Sequence, residues 1–266
     1  MKILFLIASM RAGGAERVAS TLCNHWASNG QQVVLVTYDA AENDFFQSHK
    51  SITRYSLNAY STNRNIFKKI YANLQRLANI RSIVKQQRPD VVISFMDVSN
   101  MIAIVACMFT GVPVIISERT YPPYFNNNNL FDKLRKSIYK FCNYFVAQTS
   151  NVEVWAAEFL NKNKISVIAN PLDTKSVQIN PNTVREKKIV AVGRLCPEKG
   201  FDLLIQAFNK CQANCADWKL QIVGEGVDRA KLEQLIKDLD LGSKVSLTGQ
   251  STSPQASYNT AQIFVL

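Results

Sequence analysis

Short apolar segments alternate with amphipathic ones along almost the whole chain, and this alternation restricts the fold more than any single motif. Residues 2–8 have the continuous apolar character of a strand that is buried on both faces. In residues 65–87, by contrast, apolar side chains recur close to the 3.6-residue period of a helix. The pattern predicts strands at 2–8, 32–37, 90–94, 112–117, 144–147, 165–168, 188–192, 219–223, 244–247 and 262–266, and helices at 15–28, 65–87, 99–110, 130–141, 151–160, 200–211, 228–239 and 254–260. Repeated β-α-β units with short connections predict an α/β fold of two doubly wound, Rossmann-like parallel sheets.

The alternation lapses in a polar, proline-bearing stretch that begins at Asn170-Pro171. We therefore predict an N-terminal domain over residues 1–170, a linker over 171–186 and a C-terminal domain over 187–266. A chain of 266 residues suits two domains of moderate size. Parallel sheets bind ligands at the carboxyl ends of their strands, so two such domains are expected to face each other across a binding cleft.

The composition favours a globular chain with anionic partners. Apolar residues make up 47% and charged residues 19%, which excludes a disordered protein, whereas the net charge of +11 favours phosphorylated ligands, anionic lipid or nucleic acid. The apolar stretch at 101–116 is interrupted by Thr110, Gly111 and Pro113 and falls short of the ~20 residues that cross a bilayer. No transmembrane helix is expected.

Six cysteines, most of them widely spaced and with no secretory signal before them, predict reduced, packed thiols and a cytoplasmic location. Cys211 and Cys215 lie one helical turn apart, but the chain has only two histidines and no second cysteine pair of suitable spacing. Structural thiols are therefore favoured over a metal site.

A glycine pair, Gly13-Gly14, lies between the first strand and the first helix. Paired glycines let a backbone approach a ligand closely, and the helix that follows offers unpaired N–H groups; a tight turn is an equally good interpretation of this pair taken alone. Because the loop lacks the G-x-G-x-x-G spacing and the chain contains no P-loop sequence, a dehydrogenase and a P-loop nucleotidase are disfavoured.

A second loop concentrates positive charge where a strand gives way to a helix. Arg194 and Lys199 lie between the glycines Gly193 and Gly200, so a guanidinium, an ammonium and a helix N-terminus are expected around one small volume. A phosphate or diphosphate is the ligand that such a loop suits, although isolated charges of this kind are usually solvated.

The sequence from Val192-Gly193-Arg194 through Lys199-Gly200, followed by Gly224-Glu225-Gly226 and Gly249, resembles the C-terminal domain of family-4 retaining glycosyltransferases. Gly13-Gly14-Ala15-Glu16-Arg17 and Asn170-Pro171-Leu172-Asp173 match the same family in the same order, so the resemblance extends over essentially the whole chain. It implies the GT-B fold, in which two Rossmann-like domains face a cleft, and transfer of a sugar from a nucleotide-diphosphate donor with retained configuration.

The resemblance also implies roles for single residues. Arg194 and Lys199 would hold the donor diphosphate and act in catalysis, with Gly13 and Gly14 closing over it. Gly224, Gly226 and Gly249 would lie beside the nucleobase and ribose. The positive charges of Arg194 and Lys199 would make a metal unnecessary. No cofactor is expected beyond the nucleotide-sugar substrate, whose predicted base is uridine.

Ser117-Glu118-Arg119 would face the acceptor, where many relatives carry a histidine. The sequence is similar to that of hexosamine transferases that build lipid-linked glycans, which suggests an N-acetylhexosamine donor and a lipid-diphosphate-linked or glycan acceptor in cell-surface polysaccharide synthesis. Glu118 is accordingly a candidate catalytic residue, and a structural carboxylate paired with Arg119 is the alternative.

The chain departs from the family pattern at its end. The family continues with an E-x7-E motif, whereas Leu266 is the last residue here, so the C-terminal domain is expected to be incomplete. The alternative function that follows is a catalytically inactive, nucleotide-binding fragment.

Basic residues cluster twice in the N-terminal domain. Residues 45–89 contain no acidic side chain and carry Lys50, Arg54, Arg64, Lys68, Lys69, Arg76, Arg81, Lys85 and Arg88, and a second group comprises Lys133, Arg135, Lys136 and Lys140. These clusters predict peripheral binding to the inner face of the cytoplasmic membrane, with a solvated helix face as an equal alternative. Nucleic acid is disfavoured because no known reader motif is present.

Overall fold

The computed structural model describes residues 1–58, 66–125, 129–171, 184–212, 216–251 and 255–265. They form two compact units, Met1–Pro171 (unit 1) and Leu172–Leu266 (unit 2), each built on its own parallel sheet. Most of the predicted linker, residues 172–183, lies outside the described residues.

Unit 1 contains seven strands and five helices among its described residues. The strands are β1 (Lys2–Ile7), β2 (Gln32–Thr37), β3 (Thr53–Ser56), β4 (Val91–Phe95), β5 (Val114–Ser117), β6 (Tyr144–Ala147) and β7 (Ile165–Val167), and the helices are α1 (Gly14–Ser28), α2 (Ile66–Gln87), α3 (Asp97–Cys107), α4 (Asn129–Tyr139) and α5 (Ser150–Ala157). All neighbouring strands run parallel in the order β3-β2-β1-β4-β5-β6-β7.

Both faces of the unit 1 sheet are covered, which explains why its central strands are apolar throughout. One cluster of buried side chains joins α1 to the sheet through residues such as Val18 and Cys23. A larger cluster on the opposite face draws on α2 to α5 and includes Ile80, Tyr139 and Trp155. Five of the six cysteines are described, and all five are free.

Unit 2 repeats this plan on a smaller scale. Its described strands are β8 (Glu186–Val192), β9 (Lys219–Val223), β10 (Val245–Leu247) and β11 (Ala261–Val265), in the parallel order β10-β9-β8-β11. Its helices are α6 (Phe201–Lys210), α7 (Arg229–Asp238) and α8 (Gln255–Thr260). The α/β class with two parallel sheets is thus confirmed.

Two local predictions were wrong. Residues 53–56 form the edge strand β3, which no apolar run announces, because pairing with β2 rather than burial organises it. The asparagine run at 126–129 predicts a loop, but Asn129 begins α4; residues 126–128 lie outside the described part of the chain. Most other boundaries agree to within one to three residues.

Candidate functional site

Unit 2 brings the predicted donor-binding segments together at the carboxyl edge of its sheet. Residues 193–200, the 193–200 loop, follow β8, and residues 224–226, the 224–226 loop, follow β9. The two loops are joined by backbone hydrogen bonds: Gly193 N donates to Val223 O at 3.0 Å and Leu195 N donates to Glu225 O at 2.9 Å. The predicted site is therefore one continuous backbone assembly within this unit.

Glycine is required in the 224–226 loop because the two backbones touch. A Cβ atom on Gly224 would stand 1.8 Å from the Gly193 carbonyl oxygen, and one on Gly226 would stand 2.2 Å from the Leu195 carbonyl oxygen. Gly249 joins the assembly through an antiparallel bridge to Gly224, with its own backbone at φ +80°. These three glycines thus have a packing role whether or not a nucleotide lies beside them.

The two predicted cations, Arg194 and Lys199, are exposed on this assembly. Within the described residues, neither side chain has a hydrogen-bond or ion-pair partner. The stem of Lys199 crosses Gly193, since its Cδ and Cε atoms lie 3.5 Å from where a Cβ on Gly193 would stand. Gly200 then turns the chain with φ +61° into α6, where Leu203 N donates to Asp202 Oδ1 at 3.0 Å. The positive charge of Arg194 and Lys199 is available here for an anion.

The glycine pair in unit 1 is arranged differently from the prediction. Gly14 begins α1, and the carboxylate of Glu16 folds back over Gly13, where an added Cβ would meet Glu16 Oε2 at 2.1 Å. Ser9 Oγ donates to the same carboxylate at 3.4 Å. The start of α1, where a phosphate was expected, thus already faces a carboxylate in this structure.

Glu118 lies at the end of β5 but is turned into the protein, with 2% of its surface exposed. Tyr139 Oη donates to Glu118 Oε1 at 2.5 Å, and the guanidinium of Arg135 lies 3.6 Å from the same oxygen. Glu118 is therefore a buried carboxylate whose partners are Tyr139 and Arg135 and not Arg119. Burial raises the pKa of Glu118 to about 7 despite the hydrogen bond from Tyr139. Direct contact between Glu118 and an acceptor would require it to leave these partners.

Arg119 points to a different set of groups at the same edge. Its guanidinium hydrogen-bonds Asn170 Oδ1 and lies over the ring of Phe95, with Cζ 4.3 Å from the ring centroid. Ser117 Oγ accepts from Nη1 at 3.4 Å. The hydrogen-bond pattern orients the Gln148 amide with its oxygen towards Arg119, where it accepts from Nε at 3.2 Å and from Nη2 at 3.0 Å.

Sequence reasoning missed the partners of both residues. Tyr139, Arg135 and Asn100 complete the Glu118 cluster, and Asn100 Nδ2 donates to Tyr139 Oη at 3.1 Å. Gln148 and Asn170 complete the Arg119 cluster. Each partner lies on another strand end or helix, so no local spacing could connect them; the only available signal was a polar residue directly after a predicted strand.

The structure divides the basic clusters into paired and exposed residues. Arg54 pairs with Asp44 at 3.0 Å, Arg135 with Asp132 at 2.6 Å, and Lys136 with Asp132 and Glu158. The exposed members in the described part are Lys50, Lys85, Arg88, Lys133 and Lys140; Arg64 and the side chains of Lys68 and Lys69 lie outside it. No described helix is long and apolar enough to cross a bilayer.

Comparison with known proteins identifies the family. Residues 12–176 match the model described as Glycosyltransferase Family 4, and residues 173–266 match the model described as Glycosyl transferases group 1. The chain belongs to glycosyltransferase family 4. The glycosyltransferase predicted from the sequence motifs is thereby confirmed, and the two matches meet near the boundary between the two units.

This family-4 chain is similar to glycosyltransferases of known specificity. A Campylobacter jejuni protein named GalNAc-alpha-(1->4)-GalNAc-alpha-(1->3)-diNAcBac-PP-undecaprenol alpha-1,4-N-acetyl-D-galactosaminyltransferase is 28% identical over 268 residues, which cover 100% of this chain and 72% of the relative. The lipopolysaccharide 1,6-galactosyltransferase of Salmonella typhimurium is 24% identical over 262 residues, covering 96% of this chain and 69% of the relative.

Solved structures share the fold of this glycosyltransferase chain. Anabaena Alr3699/HepE in complex with UDP and glucose superposes with a TM-score of 0.77 at 15% identity, covering 99% of this chain and 73% of that protein. The apo form of the lipopolysaccharide outer core galactosyltransferase WaaB gives a TM-score of 0.65 at 21% identity, with the same coverage of both chains.

Replacing Gly226 with alanine should separate the two loops of unit 2. We expect Gly226→Ala to lower the free energy of unfolding by about 1–3 kcal/mol, since backbone rather than a movable side chain fills the Cβ position. Hydrogen exchange of the β8 and β9 amides measures the loss. Gly242→Ala is the matched control, because nothing lies within 4 Å of its Cβ position. Equal protection of these amides from hydrogen exchange in the two variants would contradict the close backbone contact between the two loops.

The raised pKa of Glu118 predicts a pH dependence of stability. Between the ordinary value of 4.5 and about 7, the unfolded chain loses the Glu118 proton while the folded chain keeps it. The free energy of unfolding therefore falls as the pH rises through this range. The Glu118→Gln variant should show a smaller decrease in the free energy of unfolding over this pH range. Urea unfolding midpoints at successive pH values measure the decrease. The control variant Glu42→Gln changes an exposed carboxylate and should follow the wild type. If the unfolding midpoints of all three proteins changed with pH in the same way, the raised pKa of Glu118 would be refuted.

Proposed function

We propose that this glycosyltransferase moves an N-acetylhexosamine from a uridine-diphosphate sugar to a lipid-diphosphate-linked glycan, with retained anomeric configuration and without a metal. The exposed pair Arg194 and Lys199 carries the proposal: it lies beside the start of α6, and neither side chain has a hydrogen-bond or ion-pair partner among the described residues. The names of the relatives support it, since one transfers GalNAc to an undecaprenol-linked glycan and another is a lipopolysaccharide galactosyltransferase.

Arg194 and Lys199 would act on the leaving group. When the bond from sugar to diphosphate breaks, negative charge grows on the nucleoside diphosphate, and two preorganised cations stabilise it more than they stabilise the intact donor. The α6 amides would add donors to the same oxygens. With this charge in place, a divalent ion is not needed to neutralise the diphosphate, so EDTA should leave UDP affinity unchanged.

Retention is part of the same proposal and has its own readout. The anomeric coupling constant of the transferred sugar, measured by NMR on the product, should match that of the donor. A product with inverted anomeric configuration would contradict retention but would not contradict the proposed role of Arg194 and Lys199 in donor binding.

The exposed face of α4 supports a membrane partner. Leu130, Leu134 and Phe141 are 76%, 52% and 64% exposed, and they alternate with exposed Lys133 and Lys140 on one side of the helix and its continuation. Apolar side chains flanked by lysines suit the interface of an anionic bilayer. We propose that this face, the α4 face, places unit 1 on the membrane that carries the acceptor, on its cytoplasmic side.

Removing the donor cations should weaken nucleotide binding. Arg194→Ala and Lys199→Ala should each raise the Kd for UDP at least about tenfold, because a hydrogen bond to a charged group contributes about 1.5–3 kcal/mol. Isothermal titration calorimetry gives the Kd values. Lys210→Ala, at the far end of α6, removes an exposed charge and should leave them unchanged. Wild-type affinity in both site variants would remove the donor assignment.

The α4 face should bind anionic vesicles. We expect flotation with phosphatidylglycerol vesicles and none with phosphatidylcholine vesicles. Lys133→Ala combined with Lys140→Ala should weaken binding roughly tenfold or more, at about 1 kcal/mol for each basic residue near the surface. Lys162→Ala combined with Lys210→Ala removes the same charge from other exposed positions and serves as the control. If the two double variants float alike, net charge and not the α4 face explains binding.

A further inference from the structure

The ends of four neighbouring strands converge on the guanidinium of Arg119. Phe95 ends β4, Ser117 ends β5, Gln148 follows β6 and Asn170 lies shortly after β7. All four residues contact the Arg119 side chain. The carboxyl edge of a parallel sheet is where such folds bind ligands, so Arg119 occupies the position in unit 1 where a ligand is expected.

Arg119 lacks a compensating charge. No acidic side chain among the described residues contacts it, and burial lowers its pKa to about 10. Arg54 and Arg135, by contrast, pair with carboxylates, and Arg81 donates at 3.0 Å to the carbonyls of Ala106 and Met108 at the end of α3. A partly desolvated cation with only neutral partners lacks the counter-charge that a bound anion would supply.

The neighbours of Arg119 can also serve an anion. Asn170 and Gln148 now offer their amide oxygens to the guanidinium, but each amide carries two N–H donors that a rotation would turn towards a phosphate. Asn170 is exposed and Arg119 only half-buried, so the group is open to solvent. The Arg119 Nη1 contact with Ser117 Oγ is long at 3.4 Å, which leaves this nitrogen free to bind a better acceptor.

We propose that Arg119, assisted by Asn170 and Gln148, binds a phosphate group of the acceptor's lipid-linked diphosphate. The identity of the acceptor rests on the proposed function, whereas the anion site rests on the contacts of Arg119 alone. The donor diphosphate is the other source of a phosphate, but unit 2 already offers Arg194 and Lys199 to it. The buried Glu118 then has a positioning role, because it holds the end of β5, next to Arg119, against α4.

The test compares two probes on the intact chain, geranyl diphosphate for the acceptor and UDP for the donor. Arg119→Gln should raise the Kd for geranyl diphosphate at least about tenfold and leave the Kd for UDP unchanged. Arg119→Lys, which keeps the charge but not the planar fork, should lose less. Arg81→Gln is the matched control: it removes another arginine with neutral partners, and should lower the unfolding midpoint without changing either Kd.

Three results for Arg119→Gln or its probe overturn the inference. Unchanged affinity of Arg119→Gln for geranyl diphosphate, or no binding of this probe to the wild type, removes the site. Weakened binding of UDP alone assigns Arg119 to the donor. Equal loss of both probes with a lowered unfolding midpoint makes Arg119 structural. Failure of Arg194→Ala to affect UDP would refute the proposed donor site while leaving the Arg119 result standing.

A measurement on the wild type covers the case in which Arg119→Gln does not fold. Phenylglyoxal modifies accessible guanidinium groups, and peptide mass mapping locates the modified residue. Geranyl diphosphate should protect Arg119 from modification, and UDP should not. Equal modification with and without geranyl diphosphate overturns the proposal.

Discussion

The contact between the backbones of the 193–200 and 224–226 loops is the constraint on which unit 2 depends. Because carbonyl oxygens of Gly193 and Leu195 occupy the space where side chains on Gly224 and Gly226 would stand, only glycine lets β8 and β9 end side by side. This close approach packs the stretch from Gly193 to Leu195 against the 224–226 loop, and Arg194 projects from it with no hydrogen-bond or ion-pair partner among the described residues. A cation held on a fixed backbone needs little reorganisation when a diphosphate binds, which is the physical basis of the proposed catalysis.

The elements that could be predicted from sequence are those whose signal is local. The predicted bounds of β2, β6 and β9 match the observed bounds to the residue, because their apolar runs end in polar or glycine residues. β3 was missed because Thr53–Ser56 takes its strand character from pairing with β2. The loop that carries Arg194 and Lys199 could also be predicted, because its signal lies in consecutive residues. The contact between Tyr139 and Glu118 could not, because the two residues are 21 positions apart and only the packing of α4 on the sheet brings them together.

Charge compensation separates the basic residues that hold the fold from those that remain for ligands. A net charge of +11 suggests a broadly basic surface, yet Arg54, Arg135 and Lys136 are paired with carboxylates and Arg81 with the carbonyls at the end of α3. The basic residues without a carboxylate partner among the described residues include three groups: Arg194 and Lys199 on unit 2, Arg119 at the edge of the unit 1 sheet, and the lysines of the α4 face. Nucleotide diphosphate, acceptor phosphate and anionic lipid are the three chemistries that these places suit.

Chemical-shift mapping of UDP binding tests the central claim most directly, because it reports on every amide of the wild-type chain at once. If the joined loops of unit 2 receive the diphosphate, the amides of residues 193–200 and 224–226 should shift in a saturable, concentration-dependent way, while the amides of β10 and the far end of α7 stay in place. Shifts confined to residues outside these loops, or none at saturating UDP, would contradict the account.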